Sequence, residues 1–136
     1  MSTSAVQAIL DTTNGWLREP RYIIGEYDCC QFVRRYYLRR TGRDIGGHLR
    51  YYNHRGLLHL LKQGGGLPGL LEREDLLGVA HYKDSKVAVL GDIVVAWLDH
   101  IQVAGVVNTM CVVALMEEGL MHIDKSAIII GWHIDG

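Results

Sequence analysis

The chain has 136 residues, of which 49% are hydrophobic and 21% charged, and its formal net charge is −1. A chain of this length supports one domain with one hydrophobic core, here residues 1–136, and its composition is that of a globular protein rather than a disordered one. The near-neutral charge gives no basis for binding nucleic acid or an anionic membrane surface. The apolar runs are also too short to span a bilayer.

Three cysteines, two of them adjacent, do not form a disulfide framework. Adjacent cysteines cannot easily bridge each other, and an odd number leaves one thiol over. The N-terminal segment has neither the basic region nor the continuous apolar region of a secretory signal. We therefore expect a reducing compartment, or thiols that serve reactivity rather than cross-linking.

Helical patterns occupy the first half of the chain. Apolar residues recur at helical spacing from Ser2 to about Arg18, and Pro20 ends this helix. Asp28 is a suitable N-cap for a second helix, and Thr41-Gly42 is a typical end for it. Two further short helices are predicted around the glycine-rich turn at 64–66, over Arg55–Gln63 and Pro68–Leu77.

Runs of β-branched residues dominate from Ala88 onward and are separated by turn signals such as Gly-Asp, Asn-Thr and Glu-Glu-Gly. Strands are predicted at 94–97, 101–107, 111–116 and 128–134. Helices first and an antiparallel sheet last is the order of an α+β protein. We expect the helical half to form one wall of a groove and the sheet to form the other.

Cys29 follows the predicted N-cap directly and lies in the first turn of the second helix. Unpaired backbone N–H groups and the positive end of the helix dipole favour a thiolate there, as a nucleophilic cysteine requires. Phe32 and Val33, three and four residues further on, would anchor the same helix face to the core. A cysteine on an apolar face is equally compatible with packing alone, so a catalytic and a core role are both open.

The pattern Asp28-Cys29, two variable positions, then Phe32-Val33 is similar to the nucleophile helix of NlpC-type cysteine peptidases and amidases. The likeness extends over Trp16–Ile134 and includes Thr41-Gly42, the segment LLHLLKQGGGLPGLL, Gly91–Val95 and the final IIIGWHI. In content and order the chain resembles a short, tail-associated branch of this superfamily carried by bacteriophages and prophages. The resemblance implies an α+β, papain-like NlpC-type domain whose N-terminal helices pack on a C-terminal antiparallel sheet.

The resemblance also implies a general base, a histidine that opens the strand after the Gly-Asp turn, two residues before a glycine. Gly105 corresponds to that glycine, so the position falls on Val103 and the base is missing. His100 is the nearest substitute and is the tentative catalytic partner of Cys29. Alternation along a regular strand places His100 on the opposite face from Val103, and therefore away from Cys29, unless a bulge or turn beside it reverses this.

The other histidines are weaker candidates: His48, His54, His59, His81, His122 and His133. A zinc site built from Cys29, Cys30, His48 and His54 lacks the usual ligand spacing. The predicted site therefore contains no metal and no cofactor.

Basic residues cluster on the second helix, with Arg34, Arg35, Arg39 and Arg40 on the face away from Cys29. This face is either simply solvated or a docking stripe, since arginine is frequent at protein interfaces. Aromatic anchors nearby would be Tyr36, Tyr37, Tyr51 and Tyr52.

Two functions follow from the resemblance. In one, the chain is a structural or assembly protein of a phage tail tip or baseplate that keeps the fold and has lost peptidase activity. In the other, it is an active cysteine peptidase or amidase that cleaves peptidoglycan peptides through Cys29. The missing histidine and the Arg/Tyr surface favour the first. We then expect other tail and baseplate proteins as partners, and a location in the virion, with the host cytoplasm during assembly.

Overall fold

The structure is a computed structural model that describes residues 4–18, 28–44, 55 and 81–134. The two helices predicted on either side of the glycine-rich turn lie outside these ranges, apart from Arg55. The described elements are α1 (Ala5–Arg18), α2 (Cys29–Thr41), β1 (His81–Tyr82), β2 (Ile93–Leu98), β3 (Ile101–Val107), β4 (Val112–Met116), β5 (Gly119–Ile123) and β6 (Ile128–Trp132).

The first helix begins as its sequence predicts. The Ser4 hydroxyl accepts a hydrogen bond from the Gln7 backbone N–H at 3.2 Å, which satisfies one of the unpaired donors of the first turn. Among residues 5–13 of α1, the buried side chains are Ala8, Ile9 and Thr12. The Thr12 hydroxyl is satisfied within the helix, because it donates to the Ala8 carbonyl at 2.7 Å.

Both ends of α2 are fixed by local chemistry. The Asp28 carboxylate is buried and accepts a hydrogen bond from the Gln31 backbone N–H at 2.8 Å. At the other end Gly42 adopts a left-handed conformation, with φ 79°, and its N–H donates to the Leu38 carbonyl at 2.8 Å. This is the glycine-terminated helix end that Thr41-Gly42 predicts.

The six strands form one antiparallel sheet in the order β1-β6-β2-β3-β4-β5. Strands β2 and β3, and β4 and β5, are joined by two-residue turns and pair along their length. The α+β class predicted from the sequence is confirmed, while β1 and β5 were not among the predicted strands. The run from 128 to 134 ends as a strand at Trp132, two residues earlier than predicted.

Each face of the sheet carries a hydrophobic cluster. On one face, α2 packs against alternating strand residues and α1 packs on α2. The resulting cluster includes Ala8, Ile9, Phe32, Val33, Tyr36, Tyr37, Val95, Ala104, Val106, Leu115 and Trp132. The other face holds a second buried cluster, which includes Val94, Ala96, Val103, Val107, Val112, Ala114, Ile123 and Ile128. Burial of both faces explains why β2, β3 and β4 are apolar along most of their length.

Two polar contacts tie the C-terminal half of α2 to the sheet. The Tyr36 hydroxyl donates to the Gly91 carbonyl at 2.6 Å. The Arg40 guanidinium donates to the Tyr36 hydroxyl and to the Ile134 carbonyl, both at 2.8 Å. Gly91 has φ 93°, and a Cβ there would lie 2.5 Å from the Arg40 guanidinium and 2.7 Å from the Ala5 side chain. Glycine is therefore required at this turn both by backbone conformation and by close packing.

Candidate functional site at the start of α2

The Cys29 thiol lies at the point where α2 meets the sheet. Asp28 caps the helix immediately before it, so Cys29 occupies the first helical position, where unpaired backbone N–H groups concentrate. The side chain is partly buried and contacts both hydrophobic clusters. Cys29 therefore combines the packed environment of a core residue with the electrostatic environment of a nucleophile.

The hydrogen-bonded ladder between β3 and β4 is short, and its end leaves a backbone N–H group of β3 available to this thiol. The two strands pair only at Val106–Val113 and Val107–Val112. Leu98 and Ile101 close the two-residue turn between β2 and β3, and strand alternation from that pair directs the Ala104 N–H toward β4 rather than β2. Since the β3–β4 ladder does not reach Ala104, its N–H instead donates to the Cys29 sulfur.

Hydrogen bonding lowers the pKa of the Cys29 thiol below its ordinary value. The largest cause is the hydrogen bond that the Cys30 thiol donates to the Cys29 sulfur, and the N–H groups of Ala104 and Cys30 act in the same direction. Burial and the neighbouring Asp28 carboxylate raise the pKa but do not outweigh these donors. At a given pH, a larger fraction of Cys29 is therefore thiolate than of an ordinary cysteine. Cys29, Cys30 and Cys111 are all free thiols.

The position expected for a histidine holds a buried aliphatic side chain, because Val103 is 1% exposed within the second cluster. The alternation of β3 is opposite to the expected one: Ala104 and Val106, not Val103, lie on the face that the body of α2 covers. Cys29 itself contacts both clusters. Val103 therefore belongs to one of the two clusters that Cys29 contacts, and its side chain offers no proton acceptor.

His100 lies in the two-residue turn between β2 and β3 and is exposed. The preceding residue, Asp99, has φ 54°, a left-handed conformation suited to tight hairpin turns. The turn is four residues from Ala104, or about 13 Å of strand. Cys29 meets β3 at Ala104, whereas His100 lies in the turn before β3 begins. The structure therefore does not bring the predicted pair together.

The other described histidines lie on different elements. His81 is on β1 and His122 on β5, both exposed, and His133 follows β6. Within residues 4–18, 28–44 and 81–134, no histidine contributes to the pKa shift of Cys29. His48, His54 and His59 lie outside the described residues. In the same described ranges, no group of three or more His, Cys, Asp or Glu side chains is placed to hold a metal ion.

A polar cluster that sequence reasoning missed surrounds Asp92. Its carboxylate is buried and accepts hydrogen bonds from the Tyr82 hydroxyl at 2.5 Å, the Val89 N–H at 3.0 Å and His133 Nδ1 at 2.9 Å. The Gly-Asp pair predicts only a turn at Asp92, and His133 is 41 positions away in the chain. No local pattern links these residues, so only the pairing of β1 and β2 with β6 reveals the cluster.

The arginines of α2 take part in contacts within the chain. Arg34 forms two hydrogen bonds with the Asp44 carboxylate, at 2.7 and 2.8 Å. Arg39 donates to the Thr12 hydroxyl at 3.3 Å, while Arg40 binds the Ile134 carbonyl. Part of the predicted docking stripe therefore fastens α2 to its surroundings.

These features define an α+β domain with a stabilised thiol at the N-terminus of a helix that packs on an antiparallel sheet. The model of the DUF6950 family, described as a domain of unknown function, matches residues 3–134, and the chain belongs to this family. Comparison with curated proteins and with solved structures finds no significant match. Across the described residues, every helix is too short or too polar to traverse a membrane.

Proposed function

We propose that this chain is a papain-like, NlpC-type domain that serves as a structural or assembly protein of a bacteriophage tail tip or baseplate, without peptidase turnover. The order of motifs from Trp16 to Ile134 supports the family assignment. The observation that carries the loss of turnover is the buried Val103 at the position where the resemblance implies a histidine.

A cysteine peptidase needs a base within hydrogen-bond reach of its thiol, both to activate the sulfur and to protonate the leaving amine. A lowered pKa of Cys29 meets only the first need. Val103 cannot donate a proton to a leaving group, and His100 is held in the exposed turn between β2 and β3. Among residues 4–18, 28–44 and 81–134, the thiol of Cys29 therefore has a lowered pKa but no neighbouring group that would protonate a leaving amine.

The contacts of Cys29 support a structural role. Its sulfur accepts the Ala104 N–H at the end of the β3–β4 ladder and packs against both clusters. An unpaired backbone donor in such a position would cost free energy, so the thiol stabilises the junction of helix and sheet. In this proposal Cys29 occupies the position of a former nucleophile and now serves to pack the helix against the sheet.

The assembly role is tested by asking whether the protein is part of the particle. Phage particles are induced from a strain that encodes the chain, purified by density gradient and analysed by quantitative mass spectrometry. The proposal expects the chain in purified particles at a fixed ratio to the tail proteins. Its presence in the lysate together with its absence from tails would overturn the proposal. The part of the surface that docks to partners is then mapped by substituting Arg34, Arg35, Arg39 and Arg40 one at a time and measuring how much of each variant enters the particles.

The lowered pKa of Cys29 favours a second candidate, an active cysteine peptidase or amidase that acts on peptidoglycan peptides. In that case His100, or a base outside the described residues, would reach the thiol when substrate binds. Thiol alkylation across pH distinguishes the two: an alkylation profile that changes in His100→Ala supports the peptidase, and an unchanged profile opposes the use of His100.

A further inference from the structure

The strongest unassigned feature is the cluster of Tyr82, Asp92 and His133, on a different part of the sheet from Cys29. From this cluster we infer a second reactive centre, in which Nε2 of His133 accepts acyl groups from apolar esters and Asp92 and Tyr82 act as positioning residues. The inference does not depend on the proposed function, because it uses neither Cys29 nor the assembly role.

The hydrogen bonds around Asp92 fix the form of the imidazole. An ionised carboxylate can only accept hydrogen bonds, so His133 Nδ1, 2.9 Å from Asp92 Oδ2 and 3.0 Å from Oδ1, must carry the hydrogen. In the neutral ring Nε2 then holds the free electron pair. This is the tautomer that a nucleophilic or basic histidine requires.

The cluster presents that electron pair at the surface. The Asp92 side chain is 2% exposed, whereas the His133 side chain is 49% exposed. Since Nδ1 faces the buried carboxylate, Nε2 lies on the opposite, outward edge of the ring. The Tyr82 ring packs against the imidazole, with centroids 4.6 Å apart and an interplanar angle of 31°.

The backbone is shaped to hold Tyr82 in this place. Tyr82 pairs with Gly131 across β1 and β6, and a Cβ on Gly131 would lie 2.5 Å from the tyrosine ring. Only glycine leaves room for the ring to lie over β6 and reach Asp92. Burial, followed by the hydrogen bond to Asp92, raises the pKa of Tyr82 far above its ordinary value, so its hydroxyl remains a donor to the carboxylate.

The surroundings favour an apolar ester. Val89, whose N–H binds Asp92, is 54% exposed, and the neighbouring Leu90 is 40% exposed. The Val89 N–H binds the same carboxylate as His133, so this exposed apolar segment lies next to the cluster and is available to an acyl chain. Nε2 attacks the carbonyl carbon, an N–C bond forms, and the ester C–O bond breaks, so that the alcohol or phenol leaves as its anion and the ring becomes an acyl-imidazolium. Water then attacks the acyl carbon and the N–C bond breaks, which gives a carboxylate and the neutral ring. Of the two protons that this water loses, one neutralises the released anion and the other passes to bulk solvent.

Chemical labelling of the wild-type chain tests the reactivity of His133 without any substitution. Diethyl pyrocarbonate is applied at pH 8, where an ordinary imidazole is neutral, and the labelling rate of each histidine is measured by mass spectrometry. His100 and His122 are exposed at other places on the sheet and serve as internal references. We expect His133 to react several-fold faster than either. An equal or lower rate would overturn the inference.

Hydrolysis of p-nitrophenyl butyrate tests the reaction itself. All variants carry Cys29→Ser, so that the thiol does not contribute. His133→Asn should lower the rate at least about tenfold, whereas the matched change His122→Asn, at an exposed position on β5, should leave it unaltered. Tyr82→Phe keeps the stacked ring but removes the hydroxyl, so it should lower kcat with little change in KM. Equal rates with and without His133 would contradict the inference.

Discussion

At the scale of single residues, the reactivity of the Cys29 thiol depends on the groups that surround its sulfur. Three donors lower the pKa of Cys29, and the Cys30 thiol makes the largest contribution among them. Its neighbour Asp28 opposes them while capping the same helix. The chemistry of the site is therefore set by residues that are adjacent in the chain, together with one backbone donor from β3.

Replacing Cys30 should make Cys29 less reactive. In Cys30→Ala the main donor to the sulfur is lost, so the pKa of Cys29 rises and a smaller fraction is thiolate at pH 7. The rate of alkylation of Cys29 by iodoacetamide, resolved by mass spectrometry, should fall several-fold. Cys111→Ala is the matched control and should leave that rate unchanged. An unaltered rate in Cys30→Ala would show that another group holds the thiolate.

Asp28 can be tested with two substitutions that separate its roles. Asp28→Ala removes the side-chain acceptor for the Gln31 N–H and should lower the free energy of unfolding by about 1 kcal/mol. Asp28→Asn keeps an acceptor oxygen and should cost only a fraction of that, while lowering the pKa of Cys29 further because the negative charge is gone. Urea denaturation and alkylation rates measure the two effects. Equal losses of stability in both variants would argue against the cap.

At the scale of elements, the junction of α2 with β3 and β4 determines which backbone group reaches the Cys29 sulfur. The β3–β4 ladder is short, and its end exposes the Ala104 N–H to the helix N-terminus. Gly105 lies at this end, where a Cβ would be 2.6 Å from Val112 Cγ1 and 2.8 Å from the Val113 carbonyl oxygen. The close approach of β4 therefore explains why position 105 holds a glycine.

Gly105→Ala should destabilise the protein. The added methyl group meets the backbone of β4, which cannot rotate away as a side chain could, so the strands must separate at a cost of about 1–3 kcal/mol. Separation would also move Ala104 relative to Cys29. Urea denaturation gives the loss of stability, and Cys29 alkylation reports whether the junction has moved. If the variant is as stable as wild type, β3 and β4 are not packed as closely at Gly105 as the structure shows.

The elements also show which parts of the fold local sequence can predict. The ends of α2 follow from Asp28 and Gly42, which act within one turn of the helix. The orientation of β3 could not be predicted in this way, because Val103 to Val107 are buried on both faces and no polar alternation marks either one. The cluster around Asp92 depends on strand pairings between distant segments and left no local signal.

At the scale of the whole molecule, Tyr36 and Tyr82 fasten distant segments. Tyr36 joins α2 to the Gly91 turn, and Tyr82 joins β1 to Asp92. Burial is the largest cause that raises the pKa of each hydroxyl. The folded chain keeps both in the neutral form at pH values where an unfolded chain would ionise them.

Stability should therefore fall in alkaline solution. Below about pH 10 both states hold neutral tyrosines and the full stability is present, while above it only the unfolded state ionises readily and gains free energy. Tyr82→Phe removes one of these groups, so its free energy of unfolding should decline less steeply between pH 9 and pH 11 than that of wild type. Urea denaturation across this range measures both slopes. Identical slopes would contradict the proposed environment of Tyr82.

The proposed absence of peptidase turnover can be tested on the intact protein. The most direct measurement is digestion of purified peptidoglycan by the full-length protein, with soluble muropeptides detected by mass spectrometry and Cys29→Ser as the matched control. Because Val103 occupies the position at which the resemblance implies a base, we expect wild type and Cys29→Ser to release equal, background amounts. Muropeptides released by wild type but not by Cys29→Ser would contradict the proposed absence of turnover.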